Sequence, residues 1–240
     1  MNLKFNRKKE RVLLLTIFYR FAKAIFFISS KVKLRFYLNM EWIFWRLAIE
    51  ETTKVYSFFN NPVKLGNIKF LCDLMQSHYD VIDIGCKHGE ITKLVGEKVK
   101  SVIGLDYDYK AIAIAQENNN SSNVQFKCID AFDFLKMNIK VYDVCVLSHI
   151  IEHLDEPSLF LKEFNPYFKF IYIEVPDFDY SYLNHYRYYQ QMPLIYSDKD
   201  HIWEFDRVLI EKIINESGFN ILKSEYIYGV QKYWCKNNSY

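Results

Sequence analysis

From about residue 79 onward the chain alternates short apolar runs with helical patterns, and that alternation constrains the fold more than any other feature. Tyr79–Gly85 is an apolar run ending in glycine, and Glu90–Val99 follows with a helical pattern. Ser101–Asp106 is β-rich and Tyr109–Glu117 is an alanine-rich helical stretch. Val124–Ile129 reads as a strand, Ala131–Met137 as a short helix and Val141–Leu147 as a fully buried strand. Pro157 starts a helix through Tyr167, and the run FIYIEV over 170–175 is a strand stopped by Pro176. Strands and helices at this spacing define βαβ units and a mostly parallel sheet, with the strand C-terminal ends on one edge, where ligands bind.

The tail departs from that rhythm. Arg207–Ser217 is helical with Gly218 as its C-cap, and two alternating strands then flank Gly229 and Val230 as a terminal hairpin. The expected fold is therefore α/β, with seven strands and the last antiparallel to its neighbour. Met40–Tyr56 and Val63–His78 read as helices upstream, the second with Pro62 near its start. The expected division is a basic helical extension over 1–62 and the α/β domain over 63–240.

Charge is unevenly spread. Residues 1–40 contain ten basic residues and one acid, a net +9; the whole chain is +2, so the other 200 residues carry −7. Such an arm suits an anionic surface. The apolar stretch 12–30 has the length of a membrane span, but Arg20 and Lys23 at its centre would each cost about 2.5–3.5 kcal/mol on insertion. Thr16, Arg20 and Lys23 instead draw one narrow polar stripe on an apolar helix. Two placements are open: a cap packed on the rest of the protein, or a helix in a membrane interface. The five cysteines form no CxxC pair, which removes zinc spacing and a disulfide framework and points to a reducing, cytoplasmic compartment, with a peripheral membrane position if the arm binds lipid.

The stretch VIDIGCKHGEIT (81–92) carries the first site signal. Gly85 and Gly89 free the backbone to approach a ligand, and the following helix presents its N-terminus. Lys87 stands where a three-glycine dinucleotide loop has its middle glycine. Asp106 follows Gly85 by 21 residues, at a strand end, where an acid accepts ribose hydroxyls.

With DIGCKHG (83–89), GLD (104–106), CIDAFDF (128–134), YDVCVLSHIIEHLDEP (142–157), IYIEVPDFD (171–179) and HIWEF…ESGF (201–219), residues 68–235 resemble the class I S-adenosylmethionine-dependent methyltransferases. The resemblance implies a Rossmann-like seven-stranded, mostly parallel sheet with an antiparallel terminal hairpin. It implies S-adenosyl-L-methionine as cofactor, a donor with no pyrophosphate, for which Lys87 is tolerable. Residue by residue it implies that Asp83, Gly85 and Gly89 hold the methionine end and that Asp106 binds the ribose. Tyr107 would lie against adenine, Asp130 would accept from the adenine amino group with the Ala131 N–H nearby, and backbone near Leu147 and Ser148 would meet the donor's amino group. The residues alone leave Asp83 also readable as a turn cap and Asp130 as a helix N-cap.

His149 and His153 follow the fourth strand on the ligand edge. On a helical turn His149, Glu152 and His153 share one face. Three roles are open: Glu152 and His153 bracing the loop by hydrogen bonds, His149 or His153 acting as general base for a hydroxyl acceptor, or a divalent-metal set of His149, Glu152, His153 and His201. The last set is similar to that of the small-RNA 3′-end 2′-O-methyltransferases, except that His149 stands where they have glutamate. A metal is not expected. The tyrosine-rich segment 176–201 reads as a loop and acceptor lid. Relatives with the VPDFD and HIWEF parts often act on sugars, so the expected reaction is O-methylation of a small-molecule or glycan acceptor in polysaccharide biosynthesis. The other readings are a membrane-borne lipid or quinone, RNA (nucleic acid being the less expected partner), and a donor-binding protein without turnover.

Overall fold

The apolar runs become strands because each is covered on both faces. In β1 (Asp80–Ile84) every residue but the first is buried, and β4 (Tyr142–Ser148) and β5 (Phe168–Pro176) are buried along most of their length. The computed structural model describes residues 13–25, 29–192 and 200–240. The helices in chain order are α1 (Leu13–Ile25), α2 (Ser30–Val55), α3 (Pro62–Cys72), α4 (Glu90–Gly96), α5 (Tyr109–Glu117), α6 (Ala131–Met137), α7 (Pro157–Phe164), α8 (Tyr182–Tyr189) and α9 (Arg207–Glu216). The remaining strands are β2 (Ser101–Asp106), β3 (Val124–Cys128), β6 (Phe219–Ile227) and β7 (Val230–Asn237).

The seven strands form one sheet in the order β3-β2-β1-β4-β5-β7-β6. β3 to β5 are mutually parallel, and β7 runs antiparallel to both β5 and β6. The hairpin turn is Tyr228-Gly229, with φ of +57° and +79°, the two left-handed residues that a type I′ turn requires. The order reverses between β1 and β4, so the ligand crevice of such a sheet opens there, beyond Ile84 and Ser148.

Two apolar layers sandwich the sheet. One joins Leu71, Val95, Ile112 and Ala115 to Val81 and Val146. The other joins Leu161, Phe164, Ile210 and Ile214 to Ile82, Leu147 and Ile173. The helices α3, α4 and α5 thus cover one face, and α7 and α9 the other.

Several boundaries differ from the expected ones, each for a local reason. α2 begins at Ser30, ten residues before the expected start, because the stretch up to Met40 has no helix breaker. β5 continues through Pro176, which pairs with Val230 at the very end of the ladder, where a missing N–H is harmless. The segment after it is not simply a loop: Ser181 caps α8 by accepting from the Leu183 N–H at 3.3 Å. Residues 193–199 of the expected lid lie outside the described residues. By compactness the chain divides into Met1–Trp45 and Arg46–Tyr240, a division that falls within α2.

Candidate active site

The glycine turn hangs on the end of the neighbouring strand. The N–H groups of Gly85 and Cys86 both donate to the Leu105 carbonyl, at 2.8 and 3.1 Å. The Lys87 N–H donates to Asp106 Oδ2 at 2.9 Å, and the Asp108 N–H donates to Asp106 Oδ1 at 2.8 Å. Gly85, Lys87 and Gly89 all have positive φ (+70°, +48° and +77°). Space as well as torsion demands the glycines: a Cβ on Gly85 would sit 2.2 Å from Ile150 Cδ1, and one on Gly89 2.3 Å from Phe126 Cζ. Lys87 completes the turn with its backbone while its side chain is exposed, which is how a long residue occupies this position.

Around this turn the expected donor-binding residues gather as follows. Asp83 is buried and accepts from Thr92 Oγ1 at 2.6 Å. Burial pushes its carboxyl up to about 7, the Thr92 hydrogen bond opposing and the nearby Asp106 charge adding. Among the described residues no cationic side chain pairs with it. Asp106 is buried at the end of β2, and Tyr107 beyond it is exposed. The Ile129 N–H donates to the Asp106 carbonyl at 3.0 Å, bringing the start of α6 alongside. Asp130 is the N-cap of α6: its Oδ1 accepts from Phe132 and Asp133 at 2.8 and 3.0 Å, and Oδ2 carries no bond among the described residues. Ala131 is the first residue of that helix. Ser148 closes β4, with its hydroxyl 3.5 Å from Glu174 Oε1.

The histidine loop differs from the expected helical turn. Ile151–His153 is a single 3₁₀ turn and His149 lies outside it, so the two histidines share no helical face. His149 has φ of +56°, unusual for a residue with a Cβ, and its N–H donates to the Glu174 carbonyl at 2.8 Å. Its Nδ1 lies 3.0 Å from Glu152 Oε1 and its Nε2 3.3 Å from Glu174 Oε1. Desolvation disfavours a charged ring here, but the hydrogen bonds to Glu152 and Glu174 outweigh it and push the imidazole up to about 10. Glu174 is lowered, because His149, Tyr172 and Lys232 together outweigh its own burial. His149 is therefore a cation held between two carboxylates, although its side chain keeps 42% of its surface.

His153 turns the other way. Its Nδ1 meets the Asp200 carbonyl at 3.0 Å, and its ring packs edge-on against His201 with centroids 4.7 Å apart. His201 Nδ1 lies 3.3 Å from Glu204 Oε1. One ligand atom each of Glu152, His153 and His201 lie within 4.8 Å of one another. Glu152 Oε2 is buried without a hydrogen-bond partner among the described residues. Of the four residues expected to share a metal, the structure thus gathers three; His149 instead pairs with Glu152 Oε1.

Glu174 and Lys232 were not expected in the site. Register pairs Glu174 with Lys232 and Lys232 with Glu225, and Lys232 Nζ meets Glu225 Oε2 at 2.7 Å. A glutamate inside the otherwise apolar run FIYIEV is the signal that could have found it, since a charge in a buried strand needs a partner.

A sheet ordered β3-β2-β1-β4-β5-β7-β6, with a strand-end acid beside a glycine turn, defines a Rossmann-like class I methyltransferase. The model of a family described as "Methyltransferase domain" matches residues 30–224, and the chain belongs to that family, whose methyl donor is S-adenosylmethionine. The mitochondrial ubiquinone biosynthesis O-methyltransferase of Rattus norvegicus is 26% identical over 87 residues, covering 34% of this chain and 25% of that protein. The ubiquinone biosynthesis O-methyltransferase of Coxiella burnetii (strain Dugway 5J108-111) is 25% identical over 104 residues, 42% of this chain and 43% of that protein. The chain thus spans less than half the length of these curated relatives. Among solved structures, the N-methyltransferase NodS from Bradyrhizobium japonicum WM9 in complex with S-adenosyl-l-homocysteine has the same fold, with a TM-score of 0.58 at 13% identity, over 76% of this chain and 91% of that one.

Proposed function

We propose that the protein transfers a methyl group from S-adenosylmethionine to a hydroxyl oxygen of a sugar-like acceptor. The cluster of Glu152, His153 and His201 at the C-terminal edge of the sheet is the observation that carries the choice of oxygen. A hydroxyl acceptor must lose its proton as it attacks, and an imidazole on that edge serves this need.

The residues fit the donor. Gly85 and Gly89 let the turn pack close against Ile150 and Phe126, and the buried Asp83 carboxyl, with no cation paired to it among the described residues, suits a cationic amine. Asp106 would take the ribose, Tyr107 the adenine face, and Asp130 Oδ2 with the Ala131 N–H the adenine edge. The bound sulfonium supplies an already activated methyl group, so the protein's task is alignment and exclusion of water.

The proton-accepting role falls to His153. With Nδ1 turned to the Asp200 carbonyl, its lone pair is on Nε2. His149, held as a cation, has no lone pair to offer; it fixes Glu152 and Glu174 and is a positioning residue. The exposed tyrosines Tyr182, Tyr186 and Tyr189, at i, i+4 and i+7 on α8, support a sugar acceptor, since phenol rings stack on sugar faces and offer hydroxyls. A second reading has Glu152, His153 and His201 hold a divalent ion that acts on the acceptor oxygen, and the unpartnered Glu152 Oε2 favours it. A screen of hydroxylated sugars and quinols with methyl-labelled donor, with and without chelator, tests both. Label on sugar oxygen that survives chelation supports the first reading, and loss on chelation supports the second. Label only on quinols, or only on nitrogen, overturns the sugar assignment.

A further inference from the structure

α1 is too short to span a bilayer and too apolar for an ordinary surface helix. Its 13 residues rise about 20 Å, against a hydrocarbon core of about 30 Å. Among the described residues no helix is long and apolar enough to cross a membrane. Yet Leu13, Leu14, Leu15, Ile17, Phe18 and Phe21 are 54–73% exposed. The polar stripe of Thr16, Arg20 and Lys23 is narrow, and the rest of the circumference is apolar. A contiguous apolar face of that kind marks an interaction surface.

Charge and shape indicate what covers it. Between α1 and the start of α2, Tyr19, Ala22, Lys23, Lys33 and Tyr37 line a groove of about 300 Å³. The Tyr37 hydroxyl donates to the Ala22 carbonyl at 3.3 Å and holds the two helices together there. Lys23 and Lys33 have no carboxylate partner among the described residues, and the surrounding segment 1–40 carries +9. Two ammonium groups in a groove beside an apolar helix face match a lipid with a negative headgroup. A nucleic acid would use the charge but leave the apolar face in water.

We propose that α1 lies in the plane of an anionic bilayer, its apolar face in the acyl boundary, with a headgroup phosphate held between Lys23 and Lys33. The test is flotation of the full chain with phosphatidylcholine vesicles and with vesicles that also contain phosphatidylglycerol. Binding to the anionic vesicles alone is expected, and it should fade as salt shortens the screening length from about 30 Å at 0.01 M to about 8 Å at 0.15 M. Lys23→Gln with Lys33→Gln should weaken it by roughly 25-fold, fivefold for each basic residue. The circular dichroism spectrum should be unchanged. Phe18→Glu should abolish it. If that variant fails to fold, the lysine pair, which changes surface charge alone, still decides. Equal flotation with both vesicle types, no flotation at low salt, or unchanged flotation of the lysine variant overturns the proposal. So does retention of a short RNA duplex, at the salt used, with no vesicle binding.

Discussion

Gly85 lies so close to Ile150 that an added Cβ would stand 2.2 Å from the Ile150 Cδ1 atom. The donor turn and the histidine loop are thus packed against each other, and a change at one is felt at the other. Gly85→Ala should destabilise by about 2–5 kcal/mol, combining about 1–2 for the left-handed φ with about 1–3 for overpacking. Adding Ile150→Ala should relieve the crowding but not the torsion. A denaturation cycle in which the second substitution restores nothing would show that the contact does not matter.

His149 and His153 should separate cleanly. His149→Ala leaves Glu152 and Glu174 facing each other without their shared cation. Breaking such a pair should cost about 2–4 kcal/mol, less than for a wholly buried one because water reaches the ring. That corresponds to a fall in Tm of roughly 5–15 °C. His153→Ala should leave Tm within a few degrees and lower kcat by roughly 10²–10⁴-fold. Equal Tm for both variants would remove the distinction between positioning and proton transfer.

Asp83 gives the donor site a pH dependence of known sign. Its folded carboxyl titrates at about 7, raised from 3.8. Between those values the folded state keeps a proton that the unfolded chain has lost, so stability falls as pH rises through that window. Asp83→Asn should remove this slope and raise stability at pH 8 by on the order of 2–4 kcal/mol. A cationic donor favours the ionised form, so its affinity should fall by up to tenfold per pH unit below about 7. Urea melts and donor titrations from pH 5.5 to 8 check both; flat profiles would contradict the assignment.

The tyrosines of α8 should act on acceptor affinity alone. Tyr182→Ala and Tyr186→Ala remove exposed rings from a capped helix, so each should shift stability by no more than about 0.5 kcal/mol. Each should raise KM for the acceptor while leaving donor affinity unchanged. Loss of donor affinity instead would place these rings at the donor.

The central strands were legible because their burial is written in continuous apolar runs, and Tyr109–Glu117 and Ala131–Met137 fell where their patterns put them. The turn at Gly85 and Gly89 was legible for the same local reason. α8 was not, because YLNHYRYY has no apolar stripe and few strong helix formers; Ser181 starts it instead. The partner of His149 could not be read either. Glu174 lies 25 residues away and meets it only through the β4–β5 register of Ser148 with Glu174. Asp130 was readable as a cap or as a ligand, and the structure makes it a cap with one oxygen to spare.

Calorimetric titration of S-adenosylhomocysteine, against the wild-type chain and Asp106→Ala, bears most directly on the donor site. Asp106 is expected to accept from the ribose while holding the turn through the Lys87 and Asp108 N–H groups. Its loss should weaken binding by about 1.5–3 kcal/mol, or roughly 10- to 150-fold, while NAD binds neither form. Unchanged affinity in Asp106→Ala, or binding of NAD to the wild-type chain, would contradict the account.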